Sequence, residues 1–456
     1  MKYYLFILGC QMNYSDAEKV SAVLDASGHE KSDDEKSADL IVVVACSVRQ
    51  AAVDRIFGKA RLWQAKRKEH KLKTVLTGCV LEKDKKKLSP FFDLIMPIGE
   101  VEKLKKFIDC RDALPCVSNK QRRRIQCVST SVPIMTGCDN FCSYCVVPYV
   151  RGREKSRPAK EIIAECRNLI KRGYREINLI GQNVNSYKSL NKPLPLNKGE
   201  VGRGSKTELP PSNSPLIKGG GNSGVDFPQL LKAIDAIPGD YWFRFATSHP
   251  KDMSNELIKV MAKGKHITPY LHLPVQSGDD EILKKMNRGY TIKHYLNLIK
   301  KVREAIPDIV ISTDIIIGFP GETKKQFKNT LKLFRQVKFD MAYLAQYSPR
   351  AGTAASKLKD NVSKAEKKRR WDELNELLKK TALAKNKKLV GQTAKVLVED
   401  FKKGRCMGKT DTSKLVIFPG DQSLVGQFIE IKITQIGSWA LWGEIILSSS
   451  RGKRKK

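Results

Sequence analysis

The sequence reads Thr136-Gly137-Cys138-Asp139-Asn140-Phe141-Cys142-Ser143-Tyr144-Cys145 directly after an apolar segment that predicts a strand. The cysteines have the spacing C-x3-C-x2-C, and thiolates this close on a loop can converge on one face of a four-iron cluster. Three protein ligands leave the fourth iron open, whereas a structural zinc site closes all four positions. The stretch therefore predicts an iron–sulfur cluster with one open iron; a zinc site or buried structural cysteines are the alternatives.

The open iron indicates a cofactor that can bind it directly. The amino and carboxylate groups of S-adenosylmethionine (SAM) can chelate such an iron, and Tyr144 can lie against the adenine. In chemistry of this kind the cofactor carries the reaction, and the protein supplies binding, orientation and electrostatics.

Outward from this stretch, residues 131 to about 350 alternate strand and helix patterns. The predicted strands are Val132–Met135, Glu176–Ile180, Trp242–Ala246, Tyr270–Leu273, Val310–Ile317 and Met341–Tyr347. The predicted helices are Ala159–Arg172, Phe227–Ala236, Asn255–Ala262, Thr291–Ala305 and Lys324–Val337. Six such units are fewer than the eight of a full barrel, so we predict an α/β fold with a partial (β/α)6 barrel.

Residues 1–100 show the same alternation on a smaller scale. The predicted strands are Lys2–Leu8, Asp39–Val44 and Lys73–Thr77, and the predicted helices are Ser15–Ser27 and Val48–Lys68. Strands that alternate with helices indicate a parallel sheet with crossover connections.

A second set of cysteines follows these three N-terminal strands. Cys10, Cys46 and Cys79 each come after one strand, and the carboxyl ends of parallel strands form one crevice. Gly9 and Gly78 lack side chains beside two of the thiols, which leaves room for a cluster. We therefore predict a second cluster here, with apolar core cysteines as the alternative. The other cysteines, which follow no such rule, are Cys110, Cys116, Cys127, Cys166 and Cys406.

Two further segments complete the chain. Ser189–Val225 is rich in Pro, Gly, Ser, Asn and Lys without apolar periodicity, which predicts a disordered insertion. A flexible substrate-gripping loop is the alternative. After a charged helix predicted over Ser363–Lys388, alternating strands predict a small antiparallel β-barrel. Those strands are Thr393–Glu399, Leu415–Phe418 and Gln427–Ile433.

The charge indicates the class of partner. Lys and Arg number 84 against 48 Asp and Glu, a net charge of +36, which favours a polyanion such as nucleic acid. A lysine-rich surface without functional meaning is the alternative. Apolar runs such as Leu40–Ala45 are far shorter than the roughly 20 residues of a spanning helix. The N-terminus lacks a signal-peptide pattern, so we expect a cytoplasmic protein with no membrane partner.

The cysteine triplet and the six β/α units resemble the radical SAM superfamily. Together with the strand-end cysteines, the chain is similar, outside the insertion, to the methylthiotransferase family within it. The runs that carry the resemblance are Gly9–Asn13, Gly137–Cys145, Val147–Glu154, Gly181–Tyr187, Thr247–Pro250, Leu271–Gly278, Asp314–Glu322 and Tyr347–Thr353.

The resemblance implies a domain order. Residues 1–115 would form a flavodoxin-like domain, 116–130 a basic linker, and 131–362 the radical SAM domain. Residues 363–390 would be a connecting helix and 391–456 a TRAM barrel with a basic tail. From Gly391 onward the chain has twelve Lys or Arg and six Asp or Glu, which suits RNA contact, although a purely structural barrel is an alternative.

The resemblance also implies cofactors and site residues. Two 4Fe-4S clusters are expected, one on Cys10, Cys46 and Cys79 that bears the sulfur, and one on the central triplet that cleaves SAM. The residues expected to bind SAM are Tyr144, Gln182, Asn183, Gln276, Ser277 and Glu322. The residues expected to contact RNA are Arg151, Arg153, Lys409 and Lys414.

Within the family, Gln182–Tyr187 and Ser348–Arg350 favour the branch that modifies N6-isopentenyladenosine in the tRNA anticodon loop. There one SAM methylates the sulfur, and a second yields the radical that takes hydrogen from adenine C2 before the methylthio group is inserted. The branch implies an electron donor such as flavodoxin or ferredoxin, a sulfur donor, and a monomer. The alternatives are threonylcarbamoyladenosine or a ribosomal-protein aspartate as substrate, or a non-catalytic iron–sulfur protein that binds RNA.

Two positions depart from the family pattern. The family usually has Asn-Thr before the second cysteine, where this chain has Val44-Ala45, and an apolar-Ala-Gln run after the third, where it has Val80-Leu81-Glu82. Because all three cysteines remain, the departures concern the surroundings of the cluster and its handling of sulfur.

Overall fold

A computed structural model describes residues 1–46, 50–69, 72–109, 128–189 and 224–446. The N-terminal domain is a parallel sheet of five strands in the order β2-β1-β3-β4-β5, the order of flavodoxin-like folds. Its strands are β1 (Lys2–Ile7), β2 (Glu30–Lys31), β3 (Leu40–Cys46), β4 (Lys73–Cys79) and β5 (Leu94–Ile95). Its helices are α1 (Gln11–Ala26), α2 (Gln50–Glu69), α3 (Glu82–Leu88) and α4 (Lys103–Asp109).

The central strand β3 shows why this sheet is buried on both faces. Leu40, Val42 and Val44 belong to one apolar cluster, and Ile41 and Val43 belong to the cluster on the other face. Strands covered on both sides are near-continuous apolar runs, as this one is. The predicted parallel sheet is therefore confirmed, and helix α4 lies within the range 1–115 that was expected for this domain.

The central domain contains the six predicted strands in chain order. They form two parallel three-stranded sheets, in which β9 and β14 are the middle strands, and a bridge between Phe243 and Ile267 links the two. The strands are β6 (Ser129–Pro133), β9 (Glu176–Ile180), β12 (Trp242–Phe245), β13 (Tyr270–His272), β14 (Val310–Ile317) and β15 (Met341–Gln346). The short paired strands are β7 (Met135–Thr136), β8 (Lys155–Ser156), β10 (Lys188–Ser189) and β11 (Val225–Asp226).

Helices cover the outer face of this partial barrel, and its core is one large apolar cluster. The helices are α5 (Val147–Arg151), α6 (Ala159–Lys171), α7 (Phe227–Asp235), α8 (Asn255–Lys263), α9 (Asp280–Lys285), α10 (Ile292–Ala305), α11 (Lys324–Val337) and α12 (Lys364–Lys387). Short 3-10 turns lie at Ser89–Phe91, Ile98–Glu100, Val184–Ser186, Pro250–Asp252, Ala354–Lys357 and Gln422–Leu424.

Two predicted boundaries are wrong. Ser129 and Thr130, placed in the linker, belong to β6, because they pair with Glu176 and Ile177 of β9. Ser189, the first residue of the predicted disordered insertion, pairs with Val225, its last. The residues between them, 190–223, and most of the predicted linker lie outside the described residues, as does the basic tail.

The C-terminal domain is a closed five-stranded barrel. Its strands are β16 (Thr393–Lys402), β17 (Arg405–Thr410), β18 (Leu415–Pro419), β19 (Phe428–Ile436) and β20 (Ala440–Ile445). The sequence missed β17 and β20, and one pair, β18 with β20, is parallel. A barrel has no free edge, so the last strand pairs with both neighbours whatever their direction.

Buried contacts fix the barrel on the central domain. The Arg244 guanidinium of β12 donates to the carbonyl oxygens of Thr410 and Asp411, at 2.8 and 2.5 Å. Its Nε also donates to Glu176 at 2.8 Å, so the charge is paired where it is buried. Within the described part of the chain, no helix is both long and apolar enough to cross a membrane.

Candidate functional site

The N-terminal cysteines meet at the carboxyl end of the sheet. Cys46 and Cys79 are the last residues of β3 and β4 and are partners in register, on strands about 4.8 Å apart. Cys10 lies at the N-terminus of α1, where its Sγ is 3.5 Å from Asn13 Oδ1. Buried Asn13 also donates to the Ala45 carbonyl at 2.8 Å, which ties the Cys10 turn to the strand that carries Cys46.

Two glycines make this approach possible. A Cβ at Gly9 would collide with the Asn13 side chain and would lie 2.9 Å from Cys46 Cβ. A Cβ at Gly78 would lie 2.5 Å from the Ala45 oxygen, and its φ of +101° strongly favours glycine. The predicted role of both glycines beside the thiols fits this close packing.

Arg151 of the central domain reaches into the N-terminal site. Its Nε donates to Cys79 Sγ at 2.8 Å and its Nη2 to Asp16 at 2.7 Å. The Arg151 and Asp16 side chains are only 8% and 3% exposed. Burial raises the pKa of the Cys79 thiol to about 12, and the Arg151 charge opposes that shift. The predicted RNA contact of Arg151 is therefore replaced by a contact with the cysteine site.

A second arginine of the central domain lies near the same site. Arg350 is 6% exposed, and its charge interacts with Cys46 and with Asp54 and Asp84 of the N-terminal domain. Burial lowers the Arg350 pKa, whereas these neighbours raise it. Cys79 and Cys46 thus each lie near an arginine of the central domain, which the sequence reasoning missed.

The central triplet lies on a loop that the β7–β8 pair closes at its base. The Cys138 N–H donates to the Gly152 carbonyl at 3.2 Å, which draws the two ends of the loop together. Gly137 has a φ of +78°, and a Cβ there would collide with the Arg153 backbone. Phe141 also has a left-handed backbone, with a φ of +44°. This tight fold keeps the three thiols close enough for their charges to interact with one another.

Arg288 holds the central site together. Its Nη1 lies 3.3 Å from both Cys142 Sγ and Tyr144 Oη, and its Nη2 donates to the Pro274 carbonyl at 2.8 Å. Its Nε donates to Tyr290 Oη at 3.0 Å, and the side chain is buried. No motif in the sequence marked Arg288, because it is 143 residues from Cys145 and the barrel alone brings them together.

A group of buried polar atoms lies after the ends of β9 and β12. Gln182 Oε1, Asn183 Oδ1, Ser248 Oγ and His249 Nε2 have no hydrogen-bond partner among the described residues. His249 Nδ1 accepts from the Lys251 N–H at 3.3 Å, which leaves the ring proton on Nε2. Burial, with Arg288 and Lys251, lowers the His249 pKa to about 2. Unsatisfied buried polar groups are costly, so these atoms indicate a polar ligand.

The other residues expected to bind SAM separate into two groups. Gln276 and Ser277 are buried in the loop after β13, and Gln276 has a φ of +74°. Tyr144 packs against an apolar cluster around Phe319. The Glu322 carboxylate, however, accepts from the Gly318 N–H and from Arg370, each at 2.8 Å. Because both partners are internal to the protein, we assign Glu322 a structural role.

The expected RNA contacts also divide. Arg153 is 70% exposed and pairs with Asp139 at 2.8 Å, and Lys409 is 40% exposed and pairs with Glu399 at 3.0 Å. Lys414 is only 18% exposed and donates to Asn386 at 2.8 Å, and burial lowers its pKa. Lys414 therefore joins the barrel to α12 and is not a surface contact.

The chemistry of both sites fits an iron–sulfur cluster. All eight described cysteines are free, and Cys166 and Cys406 are core residues, as expected of cysteines outside the two sets. Ligation requires a thiolate, and an arginine lies beside a thiol in each site. Within the described ranges, no three His, Cys, Asp or Glu side chains are arranged to hold one metal ion. In a cubane cluster each thiolate binds a different iron, so its ligands lie further apart than those of one ion.

Comparisons with known proteins agree with this architecture. The Radical SAM superfamily matches residues 132–334, Uncharacterized protein family UPF0004 residues 2–96, and the TRAM domain residues 387–446. A cobalamin- and 4Fe-4S-bound radical SAM methyltransferase, TsrM from Kitasatospora setae, shares the fold with a TM-score of 0.50. It is 14% identical, and the match covers 78% of this chain and 77% of that one.

Similarity to curated proteins extends over almost the whole chain. The tRNA-2-methylthio-N(6)-dimethylallyladenosine synthase of Carboxydothermus hydrogenoformans is 38% identical over 97% of this chain and 99% of its own. The enzyme of the same name from Clostridium novyi is 39% identical over 98% and 96%. At 38–39% identity over almost the full length of both chains, this chain belongs to the tRNA-2-methylthio-N(6)-dimethylallyladenosine synthase family.

Proposed function

We propose that this chain is a tRNA methylthiotransferase that places a methylthio group on C2 of N6-isopentenyladenosine (N6-dimethylallyladenosine) in the anticodon loop. The observation that supports the proposal is the contact that Arg151, from the segment just after the central triplet, makes with Cys79 of the N-terminal domain. Arg151, which contacts Cys79, lies only six residues after Cys145, so α5 connects the two sites directly. Such proximity suits a reaction in which one site activates the substrate and the other supplies the sulfur.

The proposed function assigns different roles to the two sets of cysteines and to the arginines beside them. We assign Cys138, Cys142 and Cys145 to a central 4Fe-4S cluster, and Cys10, Cys46 and Cys79 to a second one. When bound, these groups supply the electron that cleaves SAM and the sulfur that is transferred. The chain supplies the surroundings, because Arg151 and Arg288 each place a buried guanidinium beside a cysteine thiol. These cations stabilise the thiolate forms that iron requires.

The unsatisfied polar atoms bind the polar groups of SAM in this proposal. Gln182, Asn183 and Ser248 offer buried side-chain atoms, and His249 offers a neutral Nε2–H. Since the His249 pKa is lowered to about 2, this donor stays uncharged at physiological pH. Gln276 and Ser277, in the loop at the end of β13, complete the set. The removal of water from these groups strengthens each contact with the cofactor.

The partners follow from the charge and from the chemistry. A net charge of +36 favours binding to the phosphate backbone of tRNA, and exposed Arg153 and Lys409 are candidate contacts. The reaction needs an electron donor, such as flavodoxin or ferredoxin, and a source of sulfur to replace what is transferred. We infer that the chain acts as a monomer in the cytoplasm, where tRNA is modified.

The test is mass spectrometry of tRNA nucleosides from a host that lacks its own enzyme. Expression of the chain should convert N6-isopentenyladenosine to its 2-methylthio derivative. The Cys138→Ala/Cys142→Ala/Cys145→Ala variant is the matched control and should leave the nucleoside unconverted. Accumulation of 2-methylthio-threonylcarbamoyladenosine, with N6-isopentenyladenosine unchanged, would assign the chain to the other tRNA substrate.

A further inference from the structure

Three exposed side chains form a continuous patch beside the central cysteines. Phe141 is 36% exposed, Tyr149 is 57% exposed and the Arg153 side chain is 70% exposed. The Phe141 and Tyr149 ring centroids are 6.2 Å apart at 80°, and Arg153 Cζ lies 5.2 Å from the Phe141 centroid. We call these three residues the stacking platform. Exposed aromatic residues grouped beside a reaction site indicate a binding surface.

The stacking platform is held firmly although it faces solvent. The Phe141 carbonyl accepts from Asn287 Nδ2 at 3.1 Å, which anchors the loop to the α9–α10 connection. The left-handed backbone of Phe141 costs of order 1 kcal/mol or more and sets the direction in which its side chain leaves the loop. Arg153 is oriented by Asp139, whose carboxylate is 2.8 Å from its Nε. A preordered platform loses little entropy when a ligand binds.

The position of the stacking platform limits what it can hold. Phe141 directly precedes Cys142, and Tyr149 lies four residues after Cys145, so a group stacked there lies next to the central site. Two rings and a guanidinium offer flat surfaces with a positive charge, the combination that binds unstacked RNA bases. A protein partner would need about 800 Å² of surface on each side, far more than three side chains provide.

We propose that the stacking platform binds an unpaired RNA base that flanks the adenosine to be modified. This inference rests on the proposed function and adds the residues that position the substrate. Because aromatic stacking accepts any base, the platform would contribute affinity and position and would not read a particular flanking base. Because the two rings are nearly perpendicular, one base can stack on only one of them, and the more exposed Tyr149 ring is the one that would hold it. The nucleotide stacked there would hold its neighbour over the central site.

The test uses the reconstituted holoenzyme and an anticodon stem-loop that carries N6-isopentenyladenosine, with 2-aminopurine at the neighbouring nucleotide. Binding to the wild type should quench the 2-aminopurine fluorescence, because the base stacks on a ring. Tyr149→Ala should raise the Kd of the RNA about tenfold and leave the probe bright at saturation. Tyr149→Phe, which keeps the ring, should restore the wild-type Kd and the wild-type quenching of the probe.

A second stem-loop with an abasic site at the flanking nucleotide makes the test specific. Without the base, Tyr149→Ala should have no further effect on the Kd, since nothing remains to stack. Equal iron content and an equal ultraviolet–visible spectrum check that the variant is folded and loaded. An unchanged Kd and probe signal in Tyr149→Ala would overturn the proposal.

Two other outcomes are distinguishable. If Tyr149→Ala binds RNA normally but is reduced more slowly by flavodoxin, and equally fast by dithionite, the patch is a docking site for the electron donor, and the proposal is wrong. If the wild type forms no 2-methylthio product, the proposed function fails. The stacking test with the same RNA still gives its own answer.

Discussion

The two cysteine sites are built in opposite ways. The central site occupies residues 138–145 on one loop, whereas the N-terminal site takes one cysteine from each of three separate β/α units. The first depends on local backbone geometry, such as the left-handed Gly137. The second depends on the register of β3 with β4, which places Cys46 beside Cys79. One loop keeps the central cysteines near one another, whereas the N-terminal cysteines separate if any one of their three elements shifts.

The two sites nevertheless share one structural feature. Each places a buried arginine beside a cysteine thiol, Arg288 at Cys142 and Arg151 at Cys79. Arg288 belongs to the same domain as its thiol, whereas Arg151 crosses a domain interface. The N-terminal site is thus completed by a residue that its own domain does not supply.

The largest expected effects come from removing all three cysteines of one site at a time, because each site is expected to have its own reaction. The Cys138→Ala/Cys142→Ala/Cys145→Ala variant should lose SAM cleavage and retain about half of the roughly eight irons of the loaded enzyme. The Cys10→Ala/Cys46→Ala/Cys79→Ala variant should also retain about half. It should lose methylthiolation but still cleave SAM. Iron analysis and chromatography of 5′-deoxyadenosine measure both. Complete loss of iron in either variant would show that the sites are not separate.

The next effect tests the arginine that crosses the interface. Arg151→Met leaves Asp16 buried without its cation, which costs about 3–5 kcal/mol, and removes the donor to Cys79. The melting temperature should fall, and the electron paramagnetic resonance signal of the N-terminal cluster should change.

The control for this variant is Arg151→Met/Asp16→Asn, which removes both charges. It should recover much of the lost melting temperature. It should not recover the wild-type electron paramagnetic resonance spectrum, because the contact with Cys79 is still missing. A spectrum like the wild type in both variants would show that Arg151 matters only for packing.

The smallest effect concerns one glycine of the assembled site. Gly78→Ala forces a side chain into a left-handed position 2.5 Å from the Ala45 oxygen, which costs about 1–3 kcal/mol. The N-terminal domain should unfold at a lower urea concentration, and the chain should bind fewer iron atoms. Gly58→Ala in α2 is the matched control, because a Cβ there meets nothing within 4 Å. Equal iron content in the two variants would contradict the proposed packing at Gly78.

The sequence by itself determined the elements and their order. Alternating apolar segments predicted all six strands of the central barrel within a few residues, because strand periodicity is local. The spacing of Cys138, Cys142 and Cys145 predicted their grouping for the same reason. The strand-end rule grouped Cys10 and Cys46 with Cys79, since parallel strands share one edge. Strands β17 and β20 were missed because each has a glycine inside it, Gly408 and Gly443, and glycine is depleted in strands.

Only the tertiary structure decided which polar side chains face the sites. Glu322 lies in a family motif but is paired with Arg370, and Lys414 is buried against α12. Arg151, expected at the RNA surface, contacts Cys79 instead. The periodicity of a sequence shows which face of an element is apolar. The partner of a buried charge, however, depends on how distant elements pack, because desolvation forces each such charge to find a counter-charge or hydrogen bonds wherever the fold provides them.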